Sequence, residues 1–352
     1  MGGLGFDWIV VVLSAWFIGG VYLDGWAHLH VPELETFFTP WHTVLYSGFL
    51  TLAGVLVGSV IRNRAMGRPW TNALSIGYEL SLLGVLIFAA AAIGDMLWHL
   101  AFGIEKDLEA LFSPTHLALA LGGSLIVTGP LRAAWRRSDA EGDPRRWTTQ
   151  LPAILSMIYL LSVITFFTQY AHPFGRTWPA QAHRPDLVVL HLPGLTTSRA
   201  EMYEILAVAS ILLQTAVLMG LLLLALRRWP LRPGSLTLLL VINTSLMVFM
   251  RDTMVPPGPR VVILIALLGG IAADLLLWLL RPSIARQGAL RLFAFGVPVL
   301  LYIVYFLTLM VLGGIWWSLP MWTGSIALAG LVGLLLSYLV APLKSSHSES
   351  GR

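Results

Sequence analysis

Residues 74–102 read LSIGYELSLLGVLIFAAAAIGDMLWHLAF, and nearly all of these positions are apolar. An apolar run of about 20 residues or more is long enough to cross the hydrocarbon core of a bilayer as a helix. Asp95 and His99 lie near the end of this run and are four positions apart, which places them on one face of a helix. The stretch therefore predicts a membrane-spanning helix with two polar side chains together near one end.

The composition of the whole chain resembles that of this stretch. Of its 352 residues, 57% are hydrophobic and only 11% are charged, with a mean hydropathy of +0.78, whereas about a quarter of the residues in a soluble domain are charged. We therefore expect an all-α, polytopic integral membrane protein whose partner is the lipid bilayer, without a large soluble catalytic domain. The net charge of +4 gives no reason to expect a nucleic-acid partner.

The chain has no cysteine. This excludes disulfides, iron-sulfur clusters, thiolate zinc sites and a thiol nucleophile, so any metal ion has to be held by His, Asp, Glu or Met. No Walker A, Rossmann, Gly-x-Ser-x-Gly or HExxH pattern occurs in the sequence. The sequence therefore assigns neither a catalytic residue nor an organic cofactor site.

Ten apolar stretches predict ten membrane spans. Their approximate bounds are residues 8–29, 40–61, 74–102, 114–135, 149–170, 200–226, 235–250, 260–280, 292–312 and 320–341. Of the 22 basic residues, 16 lie in alternate connections or in the C-terminal tail. The positive-inside rule places these connections and both termini in the cytoplasm. We expect the membrane to be a bacterial or archaeal cytoplasmic membrane.

The spans divide into predicted regions. In chain order these are a duplicated helical-hairpin region at 1–137 with repeats over about 8–61 and 74–135, a cytoplasmic loop at 138–148, a six-helix membrane region at 149–342 with an outer loop at 171–199, and a cytoplasmic tail at 343–352. Within the outer loop, the apolar run LVVLHLPG predicts a short interfacial segment.

The first two hairpins contain the same polar pattern. The first reads DGWAH over residues 24–28 and LETFFTPWH over 34–42, and the second reads DMLWH over 95–99 and LEALFSPTH over 108–116. Five of the nine positions in the longer segment are identical, and Thr39 corresponds to Ser113. This agreement predicts an internal repeat of helical hairpins in the first half of the chain.

Each repeat is expected to bring one aspartate and two histidines together. The Asp and the first His are one turn apart, and Thr-Pro or Ser-Pro is an N-cap and first-turn signal for the returning helix. The second His then lies in the first turn of that helix, close to the other two residues. The predicted metal ligands are Asp24, His28 and His42 in the first repeat and Asp95, His99 and His116 in the second.

An alternative is that these residues only cap and pair helix ends, or are solvated at the membrane surface, where charge costs little. The duplication of the whole set favours metal binding. Additional ligands are possible at Glu35, Glu109, His172 and His183, although a Glu just before a helix also complements the helix dipole. Carboxylate and imidazole ligands suit copper, zinc or iron.

The Asp-Gly-x-x-His followed by Phe-Thr-Pro-x-His in residues 24–42 resembles the metal-site motif in a membrane component of the copper membrane monooxygenases, the particulate methane and ammonia monooxygenase family. The resemblance implies that Asp24, His28 and His42 bind copper. The second copy is similar, with Phe-Ser-Pro and three more residues between its histidines. The similarity covers about 20 residues in each copy, and it implies neither methane nor ammonia as the substrate.

Three functions are compatible with the sequence. The first is a monooxygenase-like oxidoreductase with an extracytoplasmic metal site, which acts on a small or lipophilic substrate and receives electrons from a donor or from cupredoxin-like partner subunits. The second is a copper or zinc transport or storage protein, for which ligands near the bilayer midplane are expected. The third is a non-catalytic membrane subunit of a larger complex.

Overall fold

The structure is a computed structural model that describes residues 3–31, 39–103, 107–137, 146–185, 189–192, 195–251 and 258–342. Within these ranges it contains the α-helices α1 Leu4–His30, α2 Pro40–Ala65, α3 Glu79–Phe102, α4 Asp107–Phe112, α5 Pro114–Val127, α6 Gly129–Arg136, α7 Trp147–Thr168, α8 Arg199–Arg228, α9 Ser235–Arg251, α10 Pro259–Leu280, α11 Gln287–Leu312 and α12 Leu319–Val340. Short 3-10 turns occur at Trp70–Asn72, Gln169–Ala171 and Gln181–His183.

The prediction of a helical protein built to span a membrane is confirmed. In the described part of the chain, nine helical segments are long and apolar enough to cross a bilayer, with α5 and α6 together forming one of them. The remaining predicted span, residues 235–250, coincides with α9, which has 17 residues in the described part of the chain. A helix of this length is at the short end of the range for a membrane span, so ten spans stay a prediction.

The predicted outer loop, residues 171–199, contains a β-hairpin where the sequence predicted an interfacial segment. Strand β1, Val189–Leu192, pairs antiparallel with strand β2, Leu195–Ser198, and Val189 lies opposite Ser198. Strand pairing satisfies backbone groups that a single extended segment at the membrane surface would leave to water. The all-α prediction therefore holds for the membrane region and misses this short sheet.

The chain divides into two compact units. The first consists of Met1–Tyr170 and Ile242–Thr253, and the second of Ala171–Val241 and Met254–Arg352. Both sequence repeats lie in the first unit. The regional division drawn from the sequence stays a prediction.

In the first unit, α1 and α3 run parallel and in register. The Tyr78 hydroxyl donates a hydrogen bond of 2.7 Å to Asp7, a residue 71 positions earlier. At the same sequence separation, the rings of Phe17 and Phe88 pack edge to face at 5.2 Å. Both contacts join residues that are 71 positions apart, so α1 and α3 run in the same direction and advance together. Asp24 and Asp95 are also 71 positions apart and therefore lie at the same level.

Buried phenylalanines fill the interior between α1, α2 and α3. The ring centroids of Phe49 and Phe88 are 4.5 Å apart, and those of Phe17 and Phe49 are 6.4 Å apart. All three side chains are at most 5% exposed. Each lies seven residues, about two helical turns, from one of the predicted ligands. An apolar layer therefore supports the polar end of the unit.

Glycines allow the two helices of each hairpin to approach closely. A Cβ atom on Gly20 of α1 would lie 2.6 Å from the Leu45 backbone of α2, and one on Gly48 of α2 would lie 2.9 Å from the Phe17 backbone. In the second hairpin, Gly84 of α3 and Gly122 of α5 each face the backbone of the other helix at under 3 Å. Small residues of this kind are typical of closely packed membrane helices. The short interhelical distance lets a side chain on one helix reach those on the next.

In the second unit, a buried carboxylate closes a helix end. Asp274 of α10 accepts hydrogen bonds from the backbone amides of Leu236 and Thr237, at 3.2 and 2.8 Å, and from the Thr237 hydroxyl at 2.6 Å. The first amides of a helix have no partner within that helix. Asp274 satisfies two of them for α9, which gives this membrane-embedded acid a structural role.

Candidate metal centre

The first cluster joins the end of α1 to the start of α2. Asp24 and His28 are one turn apart on α1, and the Nε2 atom of His28 lies 3.7 Å from Asp24 Oδ2. The Nε2 atom of His42, in the first turn of α2, lies 3.3 Å from Asp24 Oδ1. Both imidazoles thus direct the same ring nitrogen towards one carboxylate.

The start of α2 has the predicted cap. The Thr39 hydroxyl accepts a hydrogen bond of 3.1 Å from the backbone amide of His42, and Pro40 occupies the first helical position. This arrangement fixes where α2 begins and therefore which side of the helix His42 occupies. His42 itself is buried, with 8% of its surface exposed.

The second cluster has the same construction at the end of α3 and the start of α5. The Nε2 atoms of His99 and His116 each lie 3.4 Å from the Asp95 carboxylate, one from each oxygen. Ser113 caps α5 by accepting a hydrogen bond from the His116 amide at 3.3 Å. The Thr115 hydroxyl donates a 2.8 Å hydrogen bond to Asp95 Oδ1, which holds the carboxylate in place.

The surroundings of His99 allow the tautomer that binds a metal ion. Its Nδ1 atom lies 3.3 Å from the carbonyl oxygen of Gly103. A carbonyl can only accept, so in the tautomer that makes this hydrogen bond Nδ1 carries the proton and Nε2 has a lone pair directed to Asp95. A ligating histidine is usually held in this way by a partner on its other ring nitrogen.

The donor atoms within each cluster are close enough to share one metal ion. In each group, one atom from each of the three side chains lies within 4.8 Å of the others. The two imidazole Nε2 atoms approach different oxygens of the carboxylate at 3.3–3.7 Å, which is longer than a hydrogen bond of about 2.7–3.2 Å. Each cluster therefore offers three side chains that could hold a metal ion.

The two clusters lie at the same end of the first unit, because Asp24 and Asp95 are at one level on the parallel helices α1 and α3. Tyr46 lies beside the first cluster, with its ring 5.9 Å from that of His42. Sequence reasoning missed Tyr46, although its position one turn after His42 on α2 is a signal that could have identified it.

The additional candidate ligands do not join either cluster in the described part of the chain. Glu35 lies outside the described residues, and Glu109 is on α4 without belonging to either group. His172, in the second unit, accepts a 3.1 Å hydrogen bond at Nδ1 from the backbone amide of Phe174. Metal binding by these residues stays a prediction.

His183, the remaining candidate, also belongs to the second unit. Its Nδ1 atom lies 3.4 Å from the Thr177 hydroxyl. Burial, together with the positive charge of Arg176, lowers the pKa of His183 below its ordinary value. The ring is therefore neutral near pH 7, so its nitrogen could act as a ligand, but the structure groups it with no second candidate among the residues it describes.

The chain matches no family model, no curated protein and no solved structure. The geometry of the two clusters and the short motif within them are therefore the features that point to a function.

Proposed function

We propose that this chain is an integral membrane metalloprotein that binds one metal ion in each Asp-His-His cluster and uses these ions in copper-dependent oxidoreductase chemistry. The observation that carries the proposal is the construction of the two clusters. Each places two imidazole Nε2 atoms around one carboxylate at 3.3–3.7 Å, and one donor atom from each of the three side chains lies within 4.8 Å of the others.

The ligand set restricts the metal. Two imidazoles and one carboxylate suit copper, zinc or non-haem iron rather than calcium or magnesium, which prefer oxygen ligands. Copper is favoured by the resemblance of residues 24–42 to the copper site of the membrane monooxygenases. The distribution of arginines favours the extracytoplasmic side for both clusters, since the basic connections join the opposite ends of these helices.

The same resemblance supports oxidoreductase activity of the monooxygenase type on a small or lipophilic substrate. A copper ion held by such ligands would supply one-electron redox chemistry. The protein would supply the ligands, and in the second cluster Gly103, Ser113 and Thr115 orient them. Electrons have to come from a quinol or from a partner protein, for example one with a cupredoxin-like domain.

We further propose that the two hairpins are an internal repeat. The support is that both hairpins use the same ligand types, the same Thr- or Ser-Pro cap and a pair of closely packed glycines. The repeats differ at the position one turn after the last histidine, where Tyr46 corresponds to Ala120. The two sites are therefore related in origin but not identical in surroundings.

Metal transport is the competing function, and the packing of the first unit disfavours it. A permease needs polar groups along a route across the membrane. Two turns from the clusters, the described helices instead pack Phe17, Phe49 and Phe88 against one another. These rings oppose passage of an ion between α1, α2 and α3, whereas a resident metal ion needs no such route.

Metal content tests the site assignment. Purified protein would be stripped with a chelator, reloaded with copper or zinc, dialysed and measured by elemental analysis. We expect two ions per chain in wild type and about one in each of the variants His28→Ala and His99→Ala. His30→Ala is the matched control, because His30 lies beside the first cluster but stacks on Trp26 instead. A variant that carries both His28→Ala and His99→Ala should bind neither ion. Equal metal content in wild type and in this double variant would refute the site.

Turnover separates an oxidoreductase from a transport, storage or structural role. Copper-loaded protein supplied with a quinol should consume oxygen, and it should lose this activity in His28→Ala or His99→Ala but not in His30→Ala. Uptake of copper into sealed vesicles should not exceed that of protein-free vesicles. Bound copper without either activity would indicate a storage or structural role and would overturn the oxidoreductase proposal while leaving the metal sites intact.

A further inference from the structure

The first unit contains a polar cavity at the arginine-rich ends of its helices. The cavity has a volume of about 470 Å³ and lies between the start of α1, the end of α2, the α2–α3 connection and the end of α6. Small-molecule sites have volumes of roughly 300–1,000 Å³. The clusters lie at the other ends of α1, α2 and α3, so the cavity is separate from the metal sites.

The charge of the cavity is positive. Its lining includes Arg68, Arg136 and Arg137 against one acidic residue, Asp7. Asp7 is buried and accepts hydrogen bonds from Arg137 and from the Tyr78 hydroxyl. The charge of this carboxylate is therefore already compensated within the protein.

The two remaining arginines can meet a ligand. Arg136 pairs with Glu79 at 3.1 Å, but both side chains are more than half exposed, and an exposed ion pair contributes little. The Arg68 guanidinium has no ion pair with any residue that the structure describes. Arg68 thus supplies an uncompensated positive charge at the cavity.

The turn after α2 fixes the backbone at Arg68. Gly67 has a positive φ of 82°, which a glycine adopts without strain. The Arg68 amide donates a 3.1 Å hydrogen bond to the Asn63 carbonyl, and Arg64 donates one of 2.6 Å to the Arg68 carbonyl. The position of Arg68 beside the cavity is therefore built into the end of α2.

An apolar surface continues from the cavity. Ile76, which lines it, is 67% exposed, and Leu80 and Leu83 of α3 are also exposed. Beside the cavity, Trp70 is exposed and the Arg64 guanidinium lies 4.6 Å from its ring centroid. Exposed tryptophan and arginine together are typical of the headgroup region, next to the hydrocarbon core.

We propose that this cavity binds the phosphate-bearing headgroup of an anionic phospholipid. Arg68 and Arg136 contact the phosphate, and the acyl chains lie along Ile76, Leu80 and Leu83. Basic pockets between membrane helices on the cytoplasmic side are suited to such headgroups. A soluble phosphate shares the headgroup chemistry but gains nothing from the apolar surface, which favours the lipid. The site is independent of metal binding.

Lipid binding to the purified full chain tests the proposal. Native mass spectrometry would measure the affinities for phosphatidylglycerol and phosphatidylcholine, and inorganic phosphate would be tested as a competitor. Phosphatidylglycerol should bind at least fivefold more tightly than phosphatidylcholine. Arg68→Gln should weaken phosphatidylglycerol binding by about fivefold, the contribution expected of one basic residue near a lipid phosphate.

Two further variants make the test decisive. Arg227→Gln, at the exposed end of α8 and outside the cavity lining, should bind both lipids as wild type does. Thr71→Glu places a carboxylate in the cavity and should abolish the preference for phosphatidylglycerol. If Arg68→Gln does not fold, the result for Thr71→Glu tests the proposal instead. Equal affinities for the two lipids, equal effects of Arg68→Gln and Arg227→Gln, or phosphate binding as tight as that of phosphatidylglycerol would overturn the proposal.

Discussion

Each cluster is organised around a single carboxylate that faces two imidazole rings. In the first cluster Asp24 approaches His28 with one oxygen and His42 with the other, and in the second Asp95 divides its oxygens in the same way between His99 and His116. Each aspartate therefore fixes both rings as well as offering a ligand atom. Removal of its charge should affect the site more than removal of a nearby carboxylate that faces no ring.

The first prediction concerns these aspartates. Asp24→Asn and Asp95→Asn should each lower metal affinity at their own cluster at least tenfold, since even an indirect partner of a metal ligand contributes about ten- to a hundredfold. Glu109→Gln is the control, because Glu109 belongs to neither cluster, and Glu35→Gln tests the other candidate carboxylate. Metal titration of the four variants ranks the four carboxylates by their effect on metal affinity. Retention of metal by the Asp variants together with loss from the Glu variants would show that the ligand set is wrong.

The second prediction concerns Gly25, the residue after Asp24. A Cβ atom at this position would lie 2.5 Å from the Phe166 ring and 2.9 Å from the sulfur of Met250. Gly25→Ala should therefore cost about 1–3 kcal/mol through overpacking and displace Asp24. Thermal unfolding together with metal content measures both effects.

Gly19 is the matched control on the same helix. A Cβ atom there would meet nothing within 4 Å, and alanine is favoured over glycine in a helix by about 0.5–1 kcal/mol. Gly19→Ala should therefore unfold at the same or a higher temperature and keep its metal. Equal destabilisation by the two substitutions would mean that the close packing at Gly25 does not exist.

At the level of the elements, each cluster depends on where the returning helix begins. Thr39 and Ser113 accept hydrogen bonds from the amides of His42 and His116, so the residue that caps the helix also places the ligand. The Ser113 hydroxyl additionally lies 2.7 Å from Nδ1 of His116. A change of cap should therefore alter stability and metal binding together.

The third prediction separates these two effects. Ser113→Ala should lower stability by about 1 kcal/mol, the usual contribution of an N-cap, and should weaken metal binding at the second cluster. Ser198→Ala removes an equivalent cap from α8, where Ser198 accepts from the Glu201 amide at 3.0 Å. This control should lose similar stability and keep both ions. Unchanged metal affinity in Ser113→Ala would mean that the cap does not position His116.

The helices and the grouping of the six aspartates and histidines could be predicted from the sequence, because both depend on short-range patterns. Apolar length predicts a span, four-residue spacing predicts a shared helix face, and Thr-Pro or Ser-Pro predicts the start of the next helix. Asp274 required the tertiary structure, since the amides that it accepts from belong to another helix, whereas Tyr46 could have been found from its position one turn after His42. The β-hairpin was missed because its short strands resemble an apolar interfacial segment. The span at residues 235–250 stays a prediction, because α9 has only 17 residues in the described part of the chain.

At the scale of the molecule, the candidate functional sites among the described residues lie in the first compact unit. Both clusters and the arginine-lined cavity belong to it, and they lie at opposite ends of its helices. The second unit is organised by apolar helix packing, with buried polar groups such as Asp274 in structural hydrogen bonds. Substitutions that affect metal binding should therefore fall in the first unit.

The fourth prediction follows from the proximity of the two clusters. Asp24 and Asp95 lie at one level on the parallel helices α1 and α3, whose side chains meet at Phe17 and Phe88. Two divalent ions about 10 Å apart repel by about 1.7 kcal/mol even in a water-like dielectric, and by more where burial lowers it. The second ion should therefore bind at least tenfold more weakly than the first.

Isothermal titration of the stripped protein with copper(II) measures this difference, and electron paramagnetic resonance should show spin coupling only when both clusters are filled. In His28→Ala the second cluster should bind its ion without the repulsion, so the weak phase of the titration should disappear while one tight site remains. His30→Ala should keep both phases, because His30 belongs to neither cluster. Two equal, uncoupled sites in wild type would show that the two ions are too far apart to repel each other, and the clusters would then act separately.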